Sequence, residues 1–151
     1  MTQRIDYAKA SPEGYKAFGA VYSTLLKGSL PKALIDLVYL RVSQINGCAF
    51  CIDMHSRDLL KSGLSVEKLV LVPVWHEAGA VFTARERVAL SWAESVTRVS
   101  ETGVPDEEYA AAIAEFSEQE LADLTYAVSL MNAFNRFGVA FRATPAAAAK
   151  A

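Results

Sequence analysis

The chain has 151 residues, 52% of them hydrophobic and 21% charged, with a formal net charge of -2. This length suits one domain with its own core, and so weak a charge leaves no electrostatic footprint for nucleic acid. Mean hydropathy is +0.19, yet no stretch approaches the roughly 20 apolar residues of a membrane span, so the surplus apolar surface points to a homo-oligomer rather than a bilayer.

The opening MTQRIDYAKA lacks the apolar run of a secretory signal. Ser11 and Pro12 then start a first helix, Ser11 as N-cap and Pro12 at the first helical position. Phe18, Val21, Tyr22, Leu25 and Leu26 follow at helical spacing until Gly28 stops it. Pro31 opens a second helix to about Asn46, with Gly47 as its breaker. Leu34, Ile35, Leu37, Val38, Leu40, Val42 and Ile45 cover most of its circumference. That predicts a buried helix in which Asp36, Arg41 and Gln44 need partners. A third helix spans about Cys48 to Ser62 and ends at Gly63. Ser65 caps a short fourth, cut off by Pro73. Thr83 and Glu86 form a capping box that opens a fifth, with Val88, Ala89, Trp92, Ala93, Val96 and Val99 on one stripe. Pro105 begins a short sixth. Ser117 and Glu120 form a second capping box, opening a long last helix to about Arg142 that Gly138 weakens without breaking. Residues 143–151 are expected to fray as a flexible tail. No segment reads as a strand. The expected fold is all-α, a single domain over residues 1–142.

The chemistry concentrates at the start of the third helix. Cys48, Cys51 and His55 are spaced C-x-x-C-x-x-x-H and hold both cysteines and one of the two histidines. On a helix all three share one face. Without a secretory signal the pair fits a reducing cytoplasm, where close cysteines are more often catalytic or metal-binding than structural. Cys48 falls in the first turn, where the positive end of the helix dipole favours thiolate. Cys51 has His55 four residues on, close enough to accept its proton, which makes Cys51 the better attacking thiol. Once Cys51 is oxidised to a sulfenic acid, Cys48 can condense with it to a disulfide. Cys48, at the exposed start of the helix, is where a partner thiol could reach the pair. A zinc site of Cys48, Cys51, His55 and His76 is the rival chemistry. It is disfavoured because there is no second C-x-x-C and His76 has no paired ligand near it, so no metal or other cofactor is expected. The plainest alternative is two cysteines buried as small hydrophobes.

The second and third helices turn at Gly47 and are expected to form an antiparallel hairpin. Asp36 lies eleven residues before Gly47 and His55 eight after it, which sets them about level. Asp36 could orient His55 and raise its basicity, or it could pair with Arg41 or Lys32, or face solvent. Spacing alone leaves these open.

The run from Leu40 to Cys51 with His55 closely resembles the AhpD-like alkylhydroperoxidases of the carboxymuconolactone decarboxylase superfamily. So do the later segments Trp75–Ala78, Phe82–Arg87, Leu90–Glu94 and Asn132–Arg136. The resemblance implies a helical bundle assembled as a trimer or hexamer, and a thiol peroxidase that takes a hydroperoxide and a dithiol or protein reductant. It assigns Cys51 as the peroxidatic cysteine, Cys48 as its resolving partner, His55 as the base and Asp36 as the relay acid. Here Asp36 stands where the family has a Glu, one methylene longer, and Phe50 where some relatives have a histidine. The lactone-decarboxylating branch typically lacks the C-x-x-C pair, which argues against that chemistry. The alternative from a different class is a non-catalytic redox sensor or partner-binding protein that uses the same disulfide as a switch.

Overall fold

The computed structural model describes residues 2–148. Among them every regular element is helical: α1 (Tyr7–Ala10), α2 (Pro12–Leu25), α3 (Lys32–Asn46), α4 (Ala49–Lys61), α5 (Val66–Leu71), 3-10 turns at Val72–Glu77 and Gly79–Val81, α6 (Ala84–Thr97), α7 (Val99–Thr102), α8 (Asp106–Glu115) and α9 (Glu118–Ala140). The all-α expectation holds. The two four-residue helices α1 and α7 are too short to register as a period and were not expected.

Local chemistry explains most boundaries. Thr83 and Ser117 each cap their helix, and Glu86 and Glu120 reach back to the cap N–H, so both capping boxes are complete. Ser65 Oγ accepts from the Lys68 N–H at the start of α5. Pro31 turns out to precede α3 rather than open it: its ψ of 134° is extended, and its carbonyl accepts the first helical N–H groups. Pro73 does not end the chain's helical path; it tightens it into a 3-10 turn. Gly47 sits at φ 68°, a left-handed conformation that glycine adopts without cost. From it the chain passes through Cys48 alone before α4 begins.

α3 is the axis of the molecule. Leu34 to Leu40 are buried without a break, followed by Val42 and Ser43. One side of α3 (Ile35, Val38, Tyr39, Val42) packs into a large cluster with α2, α6, α8 and α9. The other side (Leu37, Leu40) packs against Leu59, Val72, Trp75, Phe82 and Leu90. Two cores, one on each flank, account for a helix that is apolar nearly all round. Each large side chain buried this way contributes about 1.5–3 kcal/mol. Of the polar groups on α3, Arg41 Nε donates to Glu94 Oε1 at 2.7 Å, and Trp75 Nε1 donates to the same oxygen at 2.8 Å. Gln44 Oε1 has no partner among the described residues.

The C-terminal end of α3 is tied to α9 by amides. Asn46 Nδ2 donates to Asn132 Oδ1 at 2.9 Å and to Asn135 Oδ1 at 3.0 Å. Asn135 Nδ2 donates to Ser43 Oγ at 3.0 Å. The N-terminal α1 and α2 lean on α9 mainly through rings: Tyr7 stacks on Phe137 at 5.2 Å, and Phe18 meets Phe134 edge-on at 5.5 Å.

One further expectation is corrected. Val99 does not continue the α6 stripe; α6 ends at Thr97, which breaks the period, and Val99 is exposed. Within the segment expected as a flexible tail, the Ala147 N–H donates to Asp53 Oδ2 on α4 at 3.2 Å. Residues 149–151 of that tail lie outside the described residues. Among the described residues no helix is long and apolar enough to cross a membrane.

Asn135 is buried and uses both ends of its amide. Replacing it with Ala strands Ser43, leaves Asn46 with Asn132 alone and should cost about 1–3 kcal/mol. Urea unfolding measures this; an unchanged midpoint would show that the amide chain does not hold α3 to α9.

Candidate active site

Cys48 is the N-cap of α4, and its Sγ accepts the Cys51 N–H at 3.3 Å. One turn apart, with Cα atoms at 5.3 Å, the two cysteines are joined by a disulfide. The reading of two free thiols buried as hydrophobes is therefore set aside. Both are buried, Cys48 at 1% exposure and Cys51 at 4%. This corrects the expectation that Cys48 lies open at the helix start. The reason is α9, whose backbone crosses directly over the sulfurs. A Cβ on Gly138 would stand 2.7 Å from Cys48 Sγ and 3.5 Å from Cys51 Sγ, the first of these closer than a real Cβ atom approaches a neighbour. Gly138 is thus not simply a weak point of α9; it is where the helix makes room for the disulfide.

His55 lies one turn beyond Cys51, at 5% exposure, and neither ring nitrogen has a partner among the described residues. Burial pushes its pKa down to about 4; Asp58 opposes this and Lys32 adds to it. At neutral pH the imidazole is therefore uncharged and can accept a proton, while the same burial makes it a weaker base than a free histidine.

Asp36 does not meet His55. Its buried carboxylate accepts from Lys32 Nζ, one turn earlier on α3, so of the partners left open by the sequence the structure forms the Lys32 pair. The residue that faces His55 is Tyr39, with ring centroids 5.2 Å apart. The register explains this. Counted from Gly47, Tyr39 lies eight residues before and His55 eight after, whereas Asp36 is almost one turn farther, about 5 Å along the axis. That symmetric count was available in the sequence and would have found Tyr39. Nothing local marked Gly138, whose role depends on a helix far away in the chain.

A cavity of about 300 Å³ opens beside Cys51 and His55, walled by Tyr39, Phe50, Met131 and Phe134 and reached by Tyr7 and Tyr15 from α1 and α2. Cys48 is not among its lining residues. Trp75 and His76 stack on one another with centroids 3.6 Å apart, and His76 lines a separate groove with Glu94 and Arg98. The Cys48, Cys51, His55 and His76 set is not assembled, and among the described residues no group of three or more His, Cys, Asp or Glu is placed to hold a metal ion.

Two measurements bear on this geometry. Gly138→Ala should destabilise the disulfide form by about 1–3 kcal/mol through overpacking and the dithiol form less, because a free Cys48 thiol can swing aside. Gly19, whose Cβ would meet nothing within 4 Å, is the control. Equal losses in both redox forms would refute the close approach. Second, the folded His55 titrates at about 4 and the unfolded one near 6.5. Between those values the unfolded chain binds a proton that the native chain does not, so stability falls as pH drops through that window, by on the order of 3 kcal/mol. His55→Gln should flatten this part of the stability curve; a slope as steep as the wild type's would contradict it.

Residues 12–95, which include the cysteine helix, match the carboxymuconolactone decarboxylase family. The chain is 33% identical over 140 residues to YdfG of Bacillus subtilis, an uncharacterized protein, covering 93% of this chain and 95% of that one. Among solved structures it is similar to an Agrobacterium tumefaciens protein of unknown function, described as a candidate AhpD antioxidant defence protein. That match has a TM-score of 0.91 and 42% identity, and covers 95% of this chain and 98% of the other. The debrominase Bmp8 shares the fold at a TM-score of 0.79 and 17% identity, covering 94% of this chain and 76% of its own; at that distance the likeness is one of fold alone. A family match over more than half of the sequence, together with a relative aligned along nearly all of it, establishes that the chain belongs to the carboxymuconolactone decarboxylase family.

Proposed function

We propose that this chain is a thiol-dependent peroxidase that reduces hydroperoxides through a Cys51 sulfenic acid and a Cys48–Cys51 disulfide. The observation that carries the reading is the asymmetry of the pair. Cys51 borders the cavity beside an uncharged His55, while Cys48 is shut behind α9. In the proposed cycle His55 takes the Cys51 proton, and the thiolate attacks the terminal peroxide oxygen. The O–O bond breaks, one oxygen stays on sulfur, and the other departs as the alcohol with the proton. The Cys48 sulfur then displaces water from the sulfenic acid and closes the disulfide. An external dithiol restores both thiols and is itself oxidised, which suits a reducing cytoplasm. Cys48 at the N-cap is well placed as the sulfur released in that step, since the helix dipole and the Cys51 N–H favour its thiolate. Asp36 has a lesser part: it would have to let go of Lys32 before it could join a relay to His55.

The 42% identity to a candidate antioxidant defence protein supports this reading. The reading of the same disulfide as a non-catalytic switch is separated by turnover. A wild type that closes its disulfide with one equivalent of hydroperoxide but consumes no more in excess dithiol would favour the switch. Self-association belongs to the proposal too, supported by apolar side chains left out on α8 and α9, Ile113 at 48% and Tyr126 at 64% exposure. Sedimentation as a single 16.4 kDa species would refute it.

With a dithiol present, Cys51→Ser should abolish peroxide consumption. Cys48→Ser should still form a sulfenic acid at Cys51 but fail to turn over. His55→Ala should slow oxidation about 10²-fold, the scale of a lost general base. Mass analysis of the oxidised cysteine decides the roles: oxidation at Cys48 with Cys51→Ser still active would reverse them.

A further inference from the structure

We propose that Tyr39 is a catalytic residue, its hydroxyl donating a hydrogen bond to the departing oxygen of the hydroperoxide; this rests on the peroxidase reading above. Tyr39 is 1% exposed, and its Oη has no partner among the described residues. A buried, unpaired hydroxyl destabilises the fold, and a phenylalanine would fill nearly the same space without that cost. The ring lies 5.2 Å from His55 and lines the cavity that Cys51 and His55 also border. Cys51, His55 and Tyr39 therefore border one cavity, and a hydroperoxide bound there is the acceptor that the proposal assigns to the Tyr39 hydroxyl.

The chemistry calls for such a donor. Thiolate attack breaks the O–O bond and drives electron density onto the departing oxygen, which leaves as an alkoxide unless something meets it. His55 is occupied in taking the Cys51 proton. Tyr7, Tyr15 and Tyr22 also border the cavity, but each is at least partly open to solvent, which can pair its hydroxyl, whereas Phe50, Met131 and Phe134 offer no strong donor. Burial, with Tyr22 and Asp36 adding to it, raises the Tyr39 pKa, so the phenol keeps its proton throughout the working range. The Tyr39 O–H steadies the charge as it forms, and the proton held by His55 then passes to the alkoxide. The alcohol leaves neutral, Cys51 carries the other oxygen as sulfenic acid, and Tyr39 ends as it began.

The test is leaving-group dependence in a single turnover of the reduced full-length protein. Ethyl hydroperoxide expels an alkoxide and needs the donor; peracetic acid expels a carboxylate and does not. Tyr39→Phe should slow Cys51 oxidation by ethyl hydroperoxide about 10- to 10²-fold. It should leave the peracetic acid rate within about 2-fold and the rate of disulfide reduction by dithiothreitol unchanged, the scale expected when one donor to a developing charge is lost. Equal slowing with both oxidants, or slowing with neither, overturns the role. Should the variant not fold, the wild type answers alone. Its rate should fall less from peracetic acid to ethyl hydroperoxide than that of a free thiol, and an equal fall overturns the proposal. A wild type oxidised by neither reagent overturns the peroxidase reading and this role with it. A wild type that turns over beside an unselective Tyr39→Phe overturns this role only.

Discussion

Backbone, not a side chain, covers the sulfurs: a methyl group at Gly138 would stand 2.7 Å from Cys48 Sγ. The rest of the site follows from that approach. It requires α9 to lie tightly on the start of α4, and the amides of Asn46, Asn132 and Asn135 hold the helices at that depth. It buries Cys48 and leaves Cys51 as the sulfur beside the cavity. The N-cap position of Cys48 and the His55 one turn beyond Cys51 already set the two cysteines apart. A long-range packing contact adds the difference in access.

Asp58 borders the cavity, but the two rings that face each other beside it are neutral. Burial holds His55 uncharged and Tyr39 protonated, while the acid on α3 is matched by Lys32 at the more exposed edge of the helix. A cavity walled mainly by rings and methionines cannot cheaply host a lone charge. It can host a neutral acceptor and a neutral donor, whose usefulness lies in being unpaired until a partner arrives. The cost is met by the two cores on either side of α3, which bury that helix along most of its length.

Much of this was legible in the sequence because much of it is local. Capping boxes at Thr83 and Ser117, the left-handed stop at Gly47 and the one-turn spacing of Cys48, Cys51 and His55 depend only on near neighbours. α3 could be read as buried because no face of it was polar. The features that eluded sequence reading are those set by distant helices. Cys48 looked exposed because a helix start usually is, and α9 was needed to cover it. Asp36 looked level with His55, but close packing is sensitive to a single turn and brings Tyr39 there instead. Its hydroxyl gives no pattern of its own, since a tyrosine among leucines reads as core.

The wall at Gly138 has a kinetic meaning under the proposed cycle. With Cys48 enclosed, a reductant cannot approach the disulfide from that side and has to attack Cys51, through the opening that also admits the peroxide. Oxidant and reductant then share one entrance and exclude each other in time. The order of events is ping-pong, and the mixed disulfide with the reductant forms on Cys51. Each reagent in excess would occupy the cavity of the enzyme form that needs the other, so turnover would pass through a maximum in the concentration of either.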